Sequence, residues 1–130
     1  MSTGALIGIP HVPGSLDLAG GGLDCLGLTL AWYRASGLDT AAHELESATV
    51  KGEPLAEWPV IEGLANARVG DLILSTVRLG GRQVGIHVDV VVGRRPLMIL
   101  SSLQGIGSTL RSAYDVTHIT GIFRPTMDAA

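Results

Sequence analysis

Cysteine is nearly absent from this chain: Cys25 is the only one in 130 residues. A single thiol excludes an internal disulfide and fits folding in a reducing compartment. Charge is also scarce, at 16% of residues with a formal net charge of −3, and the only adjacent basic pair is Arg94-Arg95. That argues against a broad phosphate-binding surface, so nucleic acid is not an expected partner. No apolar run approaches bilayer-crossing length, and no membrane span is expected. The opening "MSTGALIGIPHVPG" has no basic n-region and no sustained apolar h-region, so no signal peptide is expected either. There is no internal repeat and no low-complexity tail. What the chain does have is apolar residues, 46% of the total. They suffice for one domain, residues 1–130, to bury a core without crosslink or metal.

Residues up to Gly22 read as coil, with Pro10, Pro13 and the glycines from Gly14 to Gly22 supplying turns. From Cys25 to Ser36 the period is mixed, because Leu26, Leu28, Leu30 and Trp32 alternate as in a strand. A helix buried on most sides is favoured. Asp24 suits the N-cap, the run is long for a strand, and Gly37 suits the left-handed position just past the end. The stretch from Asp39 to Asn66 is mixed, and a short helix is expected at 55–64. Beyond Gly70 the pattern turns to β. "DLILSTVR" and "VGIHVDVVV" flank "LGGRQ", whose Gly-Gly marks a hairpin; "PLMILSS" and "HITGIFR" supply further strands. In the second strand Val84, Ile86, Val88, Val90 and Val92 share one face, which must pack into a core. His87 and Asp89 point the other way, either to solvent or to the helix carrying Cys25.

A cysteine that opens a helix is well placed for nucleophilic chemistry. The helix N-terminus favours the thiolate, and its free backbone N–H groups can hold an oxyanion. A histidine must then stand alongside as base and later acid, oriented by a third polar group. His87 is the candidate base. The glycines around Cys25 (Gly20, Gly21, Gly22 and Gly27) allow close backbone approach. Composition alone also fits a plainer reading, in which Cys25 is a small buried hydrophobe and His87 a solvated strand residue.

Three segments weigh against the plainer reading: "GIPHVPGSLDLAGGGLDCLGL", "RVGDLILSTVRLGGRQVGIHVDVVVG" and "HITGIFRP". In this order they resemble the NlpC-type cysteine peptidases, closest to the branch found in tail-assembly proteins of bacteriophages and phage-derived particles. The resemblance runs from about Gly8 to Pro125. Asp24-Cys25 with Gly27, and Gly70-Asp71 ahead of a strand followed by the His87 strand, carry most of it. It implies an α+β, papain-like fold with the cysteine helix packed on an antiparallel sheet. It also implies a cell-wall hydrolase that cuts amide bonds in peptidoglycan stem peptides, with Cys25 as nucleophile and His87 as general base. Phage or phage-like tail proteins would be its partners. Its location would be the virion tail tip or baseplate, after synthesis in the bacterial cytoplasm.

The sequence departs from the family pattern at several points. Where a tyrosine usually helps the oxyanion site, the chain reads Pro10-His11, so His11, with Asp24, is the candidate oxyanion or substrate group. The residue two after the histidine is commonly small and here is Asp89. The third polar residue, often a histidine on the next strand, falls at Leu100, and leucine cannot orient an imidazole. Candidate replacements are Asp89, two residues from His87, and Ser102 and Gln104, which share strand parity with Leu100 if the strand extends that far. For Asp89 a solvated carboxylate is the equal alternative. A structural tail-tip subunit that keeps the fold with weak or lost catalysis is therefore the second expectation. No cofactor is expected, and no metal, since His87-x-Asp89 has no further ligand cluster at suitable spacing. His43 reads as a surface residue and His118 as structural. Trp32, Tyr33 and Trp58 read as core or interface anchors.

Overall fold

The glycine-rich lead ends at Asp24, whose carboxylate accepts the Gly27 amide at 2.6 Å and starts helix α1, Cys25–Ala35, in a computed structural model describing residues 3–16, 18–50 and 58–125. Gly37, at φ 78°, ends the helix: its amide bonds the Arg34 carbonyl and the Leu38 amide bonds that of Tyr33. Leu28, Leu30, Trp32 and Tyr33 are all buried, so the helix is covered on most sides as its composition predicts. The chain then forms α2, Asp39–Val50.

This second helix corrects the sequence reading, which expects a helix at 55–64. Residues 55–57 of that span lie outside the described ones, residues 58–63 are not helical, and Leu64 only begins a 3-10 turn, Leu64–Asn66. Pro59 removes a helical donor there. In α2 most of the apolar residues are small, and Ala41, Ala42 and the single leucine Leu45 pack inward against α1 beside Trp58. Small residues leave a faint amphipathic signal.

Five antiparallel strands follow: β1 Leu72–Leu79, β2 Arg82–Arg94, β3 Leu97–Leu103, β4 Gly107–Ser112 and β5 Ile119–Phe123, in the spatial order β4-β3-β2-β1-β5. The expected hairpin is present. Leu79 pairs with Arg82, and Gly80 and Gly81 take φ of 59° and 78°, as a two-residue turn matching the strand twist requires. β4, "GSTLRS", is a strand the sequence reading does not include.

Both sheet faces are apolar, giving two core layers. Leu72, Val88, Val90 and Leu100 pack with α1 and α2, and Val92 joins them partly buried. Ile73, Val91, Ile99 and Ile122 form a second layer on the other face with Leu97, Ala67 and Ala113. The valine face is thus the one under α1. Ile86 departs from it, 62% exposed toward the hairpin end, and the Val84 side chain lies outside the described ones. The His87 and Asp89 face lies opposite the body of α1: Asp89 is buried, while His87 stands near Cys25 at the start of that helix and lines an open depression. This face belongs to the second layer, which residues 61–67 and 113–116 cover.

Each sheet edge carries a short guard. Gly8 donates to the Ser108 carbonyl, and the Ser108 amide to that of Ile9, along the β4 edge. The Ser108 hydroxyl adds bonds to the Leu6 carbonyl and the Ile9 amide. Beside β5, Ile61 donates to Ile122 and Arg124 to Pro59. No helix is long and apolar enough to cross a membrane among the described residues.

Candidate active site

Cys25 is the first residue of α1, half-buried, with its helix entry fixed by close backbone packing. Gly27 explains that closeness. A methyl group there would lie 2.5 Å from the Ser15 carbonyl oxygen and 2.9 Å from Leu16 Cα, so only glycine lets the loop lie on the first helical turn. The Leu23 carbonyl accepts the Ser102 hydroxyl at 2.9 Å, which ties the start of α1 to β3.

At this point β2 and β3 part. Their pairing ends at Val90↔Leu100, leaving the Arg82–Asp89 part of β2 unpaired with β3. His87 lies in that free length. Its Nε2 is 2.8 Å from Asp89 Oδ1, and its side chain is 16% exposed. Three influences set its proton affinity. Burial lowers it, but the hydrogen bond to Asp89 and the nearby Cys25 sulfur, reinforced by the charges of both, raise the pKa to about 10. Since Asp89 holds Nε2, the nitrogen left for the thiol is Nδ1.

Asp89 is fully buried and receives a second donor. Ser101 Oγ donates to Oδ1 at 2.5 Å, and Arg111 Nε in turn donates to Ser101 Oγ at 3.0 Å. An Arg111 Nη2 stands 3.7 Å from Oδ2, which has no hydrogen-bond partner among the described residues. The carboxylate therefore lies between two cationic groups, His87 and Arg111. An open depression of about 340 Å³ adjoins it, lined by His87, Ser75, Arg111, Arg78, Asp115 and His118 among others.

The remaining candidates fall in different places. Asp24 is the helix cap, its Oδ1 committed to Gly27. His11 forms a parallel bridge with Leu23, and its Nδ1 lies 2.8 Å from Ser102 Oγ. Because the Ser102 proton goes to Leu23, His11 Nδ1 is the donor and Nε2 is left free of that bond. Ser102 thus joins His11 to the helix entry and does not orient His87. Gln104 sits in the exposed turn after β3, beyond the strand whose parity singled it out. Leu100 is buried opposite Val90 in the layer under α1, on the face away from Asp89. The position that orients the imidazole is on the histidine's own strand, and the solvated alternative for Asp89 is excluded by its burial.

His43 is exposed on α2. His118 takes φ 57°, and its carbonyl accepts the Thr76 amide. Trp32, Tyr33 and Trp58 are core residues in edge-to-face contact, with the Tyr33 hydroxyl donating to the Gly70 carbonyl. Sequence reasoning missed Ser101 and Arg111. The available signal was the alternation in "STLRS", too short to separate a strand from a loop. Among the described residues no group of three or more ligating side chains is placed to hold a metal ion. Compared with models of known families and with curated proteins, the chain matches none.

Proposed function

We propose that the protein is a papain-like, NlpC-type cysteine peptidase that hydrolyses amide bonds in peptidoglycan stem peptides as part of a phage or phage-like tail. The observation that carries this reading is a helix-opening thiol placed near an imidazole whose Nε2 is held by a buried carboxylate. In this scheme the reaction begins with the thiol's proton on His87 Nδ1. As thiolate and imidazolium, the sulfur attacks the amide carbonyl carbon and the tetrahedral oxyanion turns toward the free N–H groups of the first helical turn. His11 is adjacent, but its Nδ1 proton goes to Ser102, so Nε2 can donate to that oxyanion only when the ring carries a second proton. The Nδ1 proton passes to the leaving amine, the C–N bond breaks, and a thioester remains on Cys25. Water then adds with His87 as base and releases the acid. Asp89 keeps Nε2 protonated and balances the imidazolium throughout. No cofactor enters this scheme.

A second reading is a structural tail-tip subunit with weak or lost catalysis. One observation favours it: the depression beside His87 is not lined by Cys25. Release of free amine from purified stem peptide, with Cys25→Ala as the blank, separates the two. The enzyme reading expects turnover above the blank and stoichiometric labelling of native Cys25 by a thiol-reactive peptide probe. Rates equal to the blank, with no labelling, leave the structural reading. Retention of the chain on purified tails after a high-salt wash tests the tail assignment, since apolar contacts are not screened as ion pairs are. A chain found only as free monomer in lysate overturns it.

A further inference from the structure

We infer that Arg111 is a positioning residue for His87: acting through Ser101 and Asp89, it holds the Nε2 proton of the imidazole on Asp89, leaving Nδ1 to exchange its proton with the thiol.

The inference follows from counting donors. A guanidinium donates and never accepts. With Arg111 Nε 3.0 Å from Ser101 Oγ, the serine is the acceptor there, and its own proton goes to Asp89 Oδ1. Asp89 Oδ1 thus receives Ser101 from one side and His87 Nε2 from the other. Every bond in the chain points toward the carboxylate, which has no proton to return to His87. Arg111 also supplies a permanent positive charge 3.7 Å from Oδ2, the buried oxygen with no hydrogen-bond partner among the described residues. With Arg111 removed, Ser101 is free to turn its proton elsewhere. The carboxylate then keeps its burial and loses a cation, an arrangement that a low-dielectric site penalises strongly.

The strands explain why this partner comes from β4. Ile99 pairs with Arg111 and Ser101 with Thr109, so Arg111 lies diagonal to Ser101 on the face that Ser101 shares with Asp89. A residue two strands from His87 in the sheet therefore reaches it through one hydroxyl. The other ionisable groups around the depression, Arg78, Asp115 and His118, make no hydrogen bond to the ring among the described residues. Cys25 is the charged or ionisable group that meets the ring from α1.

The inference rests on the proposed chemistry only for its catalytic consequence, because the Nε2 proton belongs to the resting protein. The test is nitrogen-15 and proton NMR of histidine-labelled protein at neutral pH. In the wild type the His87 Nε2 proton is expected downfield and protected from exchange with water. In Arg111→Met and in Ser101→Ala its exchange accelerates at least tenfold, and Arg111→Lys, which keeps the charge, recovers part of the protection. Ser101→Ala alone decides the matter if Arg111→Met does not fold. Wild-type protection in Ser101→Ala, or in a folded Arg111→Met, overturns the inference. On stem peptide, Arg111→Met is expected to lower kcat roughly tenfold or more with KM little changed. If no variant and no wild type turns over while the exchange behaves as expected, the hydrolase reading fails and the positioning role of Arg111 stands.

Discussion

His87 makes the stability of the fold depend on pH across the neutral and mildly alkaline range. Its folded pKa of about 10 lies above the ordinary value of 6.5, so the folded chain holds this proton more tightly than the unfolded chain. The resulting stabilisation is fully present below about 6.5 and is lost as pH rises through about 10. It amounts to a few kcal/mol at most, on the order of 1.4 kcal/mol per unit of pKa. Urea unfolding at pH 6 and at pH 10 is expected to show this fall in wild type and a much smaller one in His87→Gln. Equal slopes in both proteins would refute the assignment. Leu100 gives the converse case. A histidine there cannot serve His87, because the side chain enters the apolar layer shared with Val90 and α1. Leu100→His is expected to destabilise by at least about 2 kcal/mol through an unpaired buried polar group, with no gain in turnover. A rise in kcat with unchanged unfolding midpoint would contradict the face assigned to it.

At the scale of elements, the start of α1 depends on two residues that do different work. Asp24→Ala removes the bond to the Gly27 amide and is expected to cost about 0.5–2 kcal/mol. Gly27→Ala drives a methyl group into backbone at 2.5 Å, so the Ser15 loop must shift, at about 1–3 kcal/mol. Thermal unfolding measures both. Only the second is expected to change Cys25 labelling, because it moves the helix entry. These two residues also show why so much of this region was legible beforehand. A cap, a tight-packing glycine and a left-handed stop at Gly37 are local signals, written within a few positions of one another. The His87 strand was legible for the same reason, through period-two alternation. What faces that strand was not, because both faces of the sheet are apolar and alternation cannot say which one a helix covers. Arg111 lies 24 positions beyond His87 and acts through a serine, a relation that only the register of β3 with β4 creates. The third position expected at Leu100 failed on register, and of the replacements Ser102 bonds Leu23 and His11 instead while Gln104 lies past the end of β3.

For the molecule as a whole, a second buried carboxylate joins the chain's end to the sheet. Asp71 precedes β1 and accepts two bonds from Arg124, at 3.0 Å and 2.9 Å, as well as the Arg68 amide at 2.8 Å. Arg124→Met strands that charge in the interior and is expected to cost about 3–5 kcal/mol. Pairing it with Asp71→Asn should recover part of the loss, and a double mutant as unstable as the single would show that the ion pair is not the cause. The two edge guards bear on assembly rather than on stability. An incoming strand would find Ser108 already bonded to Gly8 and Ile9, and Ile122 already bonded to Ile61. Recruitment into a larger particle by lengthening this sheet is therefore disfavoured on both sides. Any protein that docks on it would meet its faces and loops, where side chains rather than backbone decide the fit. Such contacts discriminate between partners in a way that backbone pairing, which any extended chain can offer, does not.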